Sequence, residues 1–309
     1  MQAMPFSLAR IIKAAALALA AALGWPTGDM AQAANASRTE TVRYPWDGTG
    51  DEIAVNLAIG SLRDSLMRWL TTGRGVHAET LLVSIGAIAG FAAQAAALER
   101  MNRRDVPLPA GFDKAVSREA FNTYLRDAGL ILIGSTRDGQ TFYFGDLING
   151  YLVQQQTTVG HPLYAILAAA ALEAGAQPGE LPDMGALFRH VAATVGKPEY
   201  GVLNPPKPLN PHYTPRAALN EFWPGVRFIF ERTDGQGIDG LKGQSVKPDY
   251  WPLITALVAR QLLLLTKDTI EPRVGLALMM ESAVVTSKLD RKTVPQQRPG
   301  DAPAQPPQN

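Results

Sequence analysis

Catalysis or ligand capture by this chain must draw on a short list of side chains. The chain holds four histidines, His77, His161, His190 and His212. None stands in an H-x-x-x-H or H-x-H pair, so a zinc site would need three of them to converge from distant segments. His77 and His161 sit near helix starts, and His190 lies off the apolar stripe of its helix, which favours surface or capping roles. His212 stands beside Tyr213 in a proline-rich stretch and is the histidine best placed for chemistry. Asp146 follows the aromatic run Phe142-Tyr143-Phe144-Gly145 and precedes a helical pattern. An acid at the end of a strand can act in catalysis, but its commoner role is an N-cap. Asp146, His212 and Tyr213 are therefore the weak candidate set for a hydrolase. The chain has no G-x-S-x-G and no S-x-x-K nucleophile motif. With no cysteine, disulfides, thiol catalysis and cysteine-held zinc or iron–sulfur centres are excluded.

Gly235-Gln236-Gly237-Ile238-Asp239-Gly240 matches G-x-G-x-x-G. That fingerprint needs a helix opening within it, and the residues from Leu241 to Pro248 are no helix start. The same loop partly matches the calcium nonapeptide G-G-x-G-x-D-x-U-x, with Asp234 where the first Gly belongs. Asp234 and Asp239 are weak calcium candidates, because the motif works by stacking turns and no second copy is present. No resident metal and no cofactor are expected.

Arg260 and Glu281 are lone charges inside apolar runs of consecutive helical segments. If these form an antiparallel hairpin turning near Thr269, the two charges lie at matching heights, and a buried ion pair is the candidate. The opposing reading places both in water, on stripes shared with Lys267 and Lys288. Six aromatic residues near the proline-rich stretch, Tyr200, Tyr213, Phe222, Trp223, Tyr250 and Trp251, are the candidate ligand or partner surface.

The elements that position these groups are read from hydrophobic period. Residues 76–101 form a helical pattern almost free of charge between Thr80 and Glu99, interrupted by Ser84 and Gln94. Gly86, Gly90, Ala93 and Ala97 make a stripe of tiny side chains on one face. A helix apolar all round is a central core helix or a membrane span. At 81–98 it is slightly short for a bilayer, although G-x-x-x-G is a membrane packing pattern. A buried helix approached closely by a neighbouring backbone is the favoured reading.

Around it, 51–70 reads as an amphipathic helix. Ser117 caps a helix ending at Gly129, and strands at 130–133 and 141–144 flank a turn at Asp138-Gly139. Further helices are expected at 146–156, 161–174 and 183–195. Residues 197–215 are dense in proline and read as a strap over the core. A short helix from Thr214-Pro215 ends near Trp223-Pro224, residues 225–231 read as a strand, and 233–248 is a Gly-rich loop. Helices at 251–267 and 271–289 complete a mainly α fold (α+β at most), one helical domain around a central apolar helix with one small β-hairpin.

The ends read differently. Residues 1–33 have the parts of a signal peptide in order: Arg10 and Lys13, an apolar run, then Ala31-Gln32-Ala33 as a cleavage site. Residues 34–50 form a polar leader, 51–290 the helical domain and 291–309 a disordered Pro/Gln-rich tail. A net charge of +1 with 18% charged residues gives no electrostatic case for nucleic acid. The expected protein is exported to the periplasm or secreted, with a cytoplasmic location as the alternative. It is expected to bind an unknown protein or small ligand, and whether it is an enzyme is left open, the sequence leaning against it. The alternatives are a periplasmic hydrolase with its site near the strap, and a membrane-anchored subunit using 81–98.

Overall fold

The computed structural model describes residues 44, 46–103, 134–135, 141–142, 162–194, 198–204, 209–231, 245–287, 289 and 291–296. The helices are α1 (Glu52–Leu70), α2 (Ala78–Arg103), α3 (Pro162–Glu173), α4 (Met184–Thr194), α5 (Pro215–Glu231), α6 (Trp251–Leu265) and α7 (Pro272–Thr286). Two-residue strands Thr71–Thr72 and Gly75–Val76 pair antiparallel between α1 and α2, and Gly134–Ser135 pairs with Thr141–Phe142. The fold is mainly α with minimal β structure. The Ser117 helix, the helix expected after Asp146, Asp146 itself, His161 and the calcium candidates Asp234 and Asp239 lie outside the described residues.

Helix α2 runs through the middle. Helices α5, α6 and α7 pack around it, and α1 also touches it. It is long and apolar enough to cross a membrane, but 89% of its span-like window is buried inside the protein. That is the position of a core helix. Leu81, Leu82, Ile85, Ile88 and Phe91 are at most 1% exposed, so the apolar circumference is covered by other helices.

The stripe of small residues meets α7. A Cβ built on Gly86 would lie 2.7 Å from Met279 Cα, and one on Gly90 2.6 Å from Ala283 Cα. Real side chains do not approach that closely. One turn further on, Gln94 Nε2 donates to Ser287 O at 2.8 Å and Leu289 O at 2.7 Å. Residues 86, 90 and 94 thus meet 279, 283 and 287 in the same order, so α2 and α7 run side by side in the same direction. The role of Gln94 is structural, since it satisfies carbonyls at the end of α7 that no intrahelical N–H can reach. Thr286 Oγ1 donates to Ala87 O at 2.7 Å across the same seam. Ser84 Oγ turns back to Thr80 O, so both polar interruptions of the apolar run are bonded.

Helix α3 stops at Gly175, whose φ of +106° favours a residue without Cβ, and the N–H groups of Gly175 and Ala176 close on Leu172 and Ala171 carbonyls. The sequence reading fails at Pro224. Helix α5 continues through it to Glu231, where the sequence pattern points to a helix end and then a strand. Proline removes one intrahelical donor. Beyond it, Val226 and Phe230 are fully buried on the face begun by Ala218, Leu219, Phe222 and Trp223, and this continued burial offsets the lost bond. At the ends of the domain, Trp46 is 3% and Val294 3% exposed. Parts of the polar leader and of the first tail residues therefore pack on the core.

Substituting Gly90→Ala forces backbone against backbone and is expected to lower unfolding stability by about 3 kcal/mol or more. Gly60, inside α1, has nothing within 4 Å of its missing Cβ. Gly60→Ala is expected to raise stability by about 0.5–1 kcal/mol through helix propensity alone. Urea denaturation of both variants reads the two signs, and an unchanged midpoint for Gly90→Ala would mean that the seam has slack.

Candidate functional site

Arg273, Ala277 and Glu281 stand four residues apart, so they form one line along α7. On α4, Ala186 and His190 are four apart and Leu187, three before His190, lies beside them. These two lines, with Glu180, Pro182 and Asn204, enclose an open pocket of about 290 Å³. The turn Pro178–Glu180 and Pro182 close one side, and Tyr164 of α3 bonds Pro182 O at 3.3 Å. Most of the wall surface is apolar, and Glu180, His190, Asn204, Arg273 and Glu281 bring polar groups to it.

Glu281 is the chemically distinctive group. It is 4% exposed. Both carboxylate oxygens accept from the backbone N–H of Asn204, at 2.9 and 3.0 Å. His190 Nε2 lies 3.5 Å from Oε1, longer than a well-formed hydrogen bond. Burial pushes the Glu281 carboxyl above its ordinary value, against the opposing effects of the Asn204 N–H and of His190. At the rim, Arg273 Nε contacts Glu271 at 3.0 Å, and Glu180 accepts from Gln177 N–H.

Asn204 belongs to the Pro-rich segment. In its described parts, 198–204 and 209–214, the backbone forms neither helix nor strand and is fastened by side chains. Tyr200 OH donates to Val285 O at 2.5 Å, and burial raises its phenol pKa. Asn210 N–H donates to Glu79 at 2.7 Å and His212 N–H to Thr80 Oγ1 at 2.9 Å.

The candidate Arg260–Glu281 pair does not form. Arg260 Nη2 reaches Glu173 Oε2 at 2.6 Å. Helix α6 packs chiefly on α2 and α3, which turns Arg260 to the end of α3, while Glu281 faces α4 and Asn204. His212 lies against the start of α2. Its ring stacks on His77 with centroids 4.3 Å apart, and its backbone holds the segment to Thr80. His77 Nδ1 lies 2.9 Å from the same Thr80 hydroxyl. Tyr213 packs edge-on against Phe222.

The six aromatic residues form no exposed surface. Phe222, Trp223, Tyr250 and Trp251 are each under 8% exposed, and Tyr200 and Tyr213 are half-buried against the core. Trp223 meets Phe91 and Trp251 edge-on, Phe230 stacks on Trp251, and Phe222 stacks on Trp69. Trp251 Nε1 donates to Val246 O. Tyr250 OH and Lys247 Nζ both reach Asp51 Oδ2, at 3.0 and 2.7 Å, and tie the start of α1 to the turn before α6. Lys247 holds the Asp51 carboxyl below its usual range. These contacts bury the rings because the chain folds both aromatic pairs, 222–223 and 250–251, onto the same side of α2. Among the described residues, no group of three His, Asp or Glu side chains is placed to hold a metal ion.

Sequence reasoning singles out Glu281 and His190 separately but not together. The signal is present in the spacing Arg273, Ala277, Glu281: two charges on one line of a helix whose other faces are apolar.

Because the native protein holds the Glu281 proton more tightly than the unfolded chain does, stability falls as pH rises from the ordinary glutamate value of 4.5 through the raised native value. The full cost is present above that window. Glu281→Gln keeps an acceptor for Asn204 and removes the titration. Its Tm is therefore expected to gain on wild type as the pH is taken from about 4 to about 7. A Tm difference that stays flat across this range would show that Glu281 is not held in an unfavourable charge state.

Comparison with protein-family models, with curated proteins and with solved structures finds no match to this chain, so the reading of the pocket rests on its own geometry.

Proposed function

We propose that this chain is an exported, non-enzymatic binding protein, and that the pocket between α4, α7 and Asn204 holds a small ligand. The observation that carries the reading is Glu281: a carboxylate almost removed from water, given one backbone donor, at the wall of an apolar pocket. Keeping an acid in such a place lowers stability, and buried acids with raised titration are found at functional sites. Small-ligand sites join apolar walls to a few oriented polar groups, and this pocket has that make-up. A ligand donor completing the hydrogen bonding of Glu281 would recover part of the desolvation cost.

A hydrolase is the second reading, and His190 beside Glu281 is what favours it. The residues lining the pocket include no serine, threonine or cysteine, so such an enzyme would have to activate water directly. Binding asks less of the same residues. Export is proposed from residues 1–33 alone, on the order of their charged, apolar and small-residue parts.

Ala186 is exposed at the pocket, so Ala186→Trp fills the opening without entering the core. Protein purified under native conditions, then denatured, is expected to release a low-mass compound on the order of one per chain, detected by mass spectrometry. The Ala186→Trp protein is expected to release none. Equal release from both, or from neither, rejects the pocket as the binding site. Turnover of p-nitrophenyl acetate that disappears in His190→Ala would instead select the hydrolase. N-terminal sequencing of the protein from the exporting cell is expected to begin at Ala34, and a chain still starting at its first residues outside the cytoplasm would refute cleavage.

A further inference from the structure

We propose that the ligand of this pocket is a small organic cation, a primary ammonium or guanidinium group on a short apolar chain. This inference rests on the binding reading above and names the chemistry of its ligand. The charges that face the pocket come from three elements. Glu281 and Arg273 belong to α7, His190 to α4, and Glu180 to the turn before α4.

Arg273, paired at the exposed rim with Glu271, is one positive charge against the two carboxylates of Glu281 and Glu180, so the lining carries an excess of negative charge. An anionic ligand would have to approach Glu281 and Glu180 together. A cation is drawn to both.

Hydrogen bonding points the same way. An ionised carboxylate has about four lone-pair positions, and those of Glu281 share the single N–H of Asn204. His190 at 3.5 Å is too far to supply a good second donor. Ammonium and guanidinium groups are donors only, so each fits the shortfall without bringing an acceptor that would go unpaired. Guanidinium adds a planar fork suited to a carboxylate.

The walls set the rest of the ligand. Pro182, Ala186, Leu187 and Ala277 offer apolar surface without further acceptors. About 290 Å³ corresponds to roughly ten water volumes, enough for a charged head and a few methylenes. Larger polar bodies would not fit.

The test uses the purified chain and four probes of matched length: n-butylammonium, n-butylguanidinium, n-butyrate and n-butanol, each titrated by calorimetry at low salt. Both cations are expected to bind with Kd on the order of 1 mM, about tenfold or more tighter than butyrate and butanol. Glu281→Gln is expected to lose that preference, and Ala186→Trp to lose all binding. Arg273→Ala, which removes a competing positive charge at the rim, is expected to strengthen cation binding about two- to threefold. It also gives a reading independent of how Glu281→Gln folds. Butyrate or butanol binding as tightly as the cations, with Ala186→Trp abolishing it, overturns the cation assignment and leaves the pocket a binding site. No heat from either cation overturns the assignment, and the native-extraction experiment then decides separately whether the pocket binds anything. Cation binding unchanged in Glu281→Gln or weakened in Arg273→Ala also overturns it.

Discussion

The contact between two backbones, α2 at Gly86 and Gly90 and α7 at Met279 and Ala283, is the constraint on which the other features of this protein depend. Helix surfaces ordinarily meet through side chains, which hold the axes apart. Here one partner has none at the crossing, and the carbonyls of the other lie where a Cβ would stand. The approach brings Thr286 within 2.7 Å of Ala87 O and Gln94 within reach of the end of α7. Each glycine costs helix propensity, about 1 kcal/mol against alanine. Dispersion across a longer line of closely packed atoms offsets it.

Fixing one face of α7 also fixes the opposite one. Successive helix residues are about 100° apart, so Ala277 and Glu281 lie on nearly the opposite side of the helix from Met279. With Met279 and Ala283 pressed against α2, the line Arg273, Ala277, Glu281 has to face away from the core helix. The pocket is thus not an accident of loop packing. Its acidic wall is the back of the glycine joint between α2 and α7. Glu281 is nevertheless kept from water, because α4 and Asn204 close over it. A charge in that position raises the free energy of the native state unless something completes its bonding. The strain of the site and the rigidity of its support therefore lie on two faces of one helix.

The sequence is informative where side-chain size and period decide the outcome. The small-residue stripe announces a close partner, and the apolar circumference announces burial. The helices that bracket them start and stop within a few residues of their expected ends. It is less informative where a local rule competes with burial. Pro224 punctuates the sequence, yet α5 passes through it because Val226 and Phe230 continue a buried face. Aromatic residues beside prolines resemble a binding surface, but Phe222 and Trp223 lie on the buried face of α5, Tyr250 and Trp251 sit at the start of α6, and Trp223 meets Trp251 edge-on in the core. Arg260 and Glu281 stand out in the sequence as unusual charges, and both are. Their partners, Glu173 and the pair Asn204 and His190, come from segments whose placement no period reveals, since it depends on which helices α6 and α7 each touch.

The Pro-rich segment is fastened to the helices largely through helix side chains. Proline has no N–H, so a stretch containing Pro205, Pro206, Pro208 and Pro211 has few donors and cannot join a sheet. Among the described residues, the N–H groups of Asn204, Asn210 and His212 beside these prolines are bonded to the helices. Each finds an oxygen on a helix side chain: Glu281, Glu79 and Thr80 respectively. A fourth anchor runs the other way, with the Tyr200 OH of the segment donating to the Val285 carbonyl of α7. Glu79 and Thr80 open α2, where negative groups are favoured by the helix dipole. Glu281 sits mid-helix on α7, where no such compensation exists. Of the three helix side chains it is the one whose charge remains poorly satisfied, and it is the one that faces a pocket.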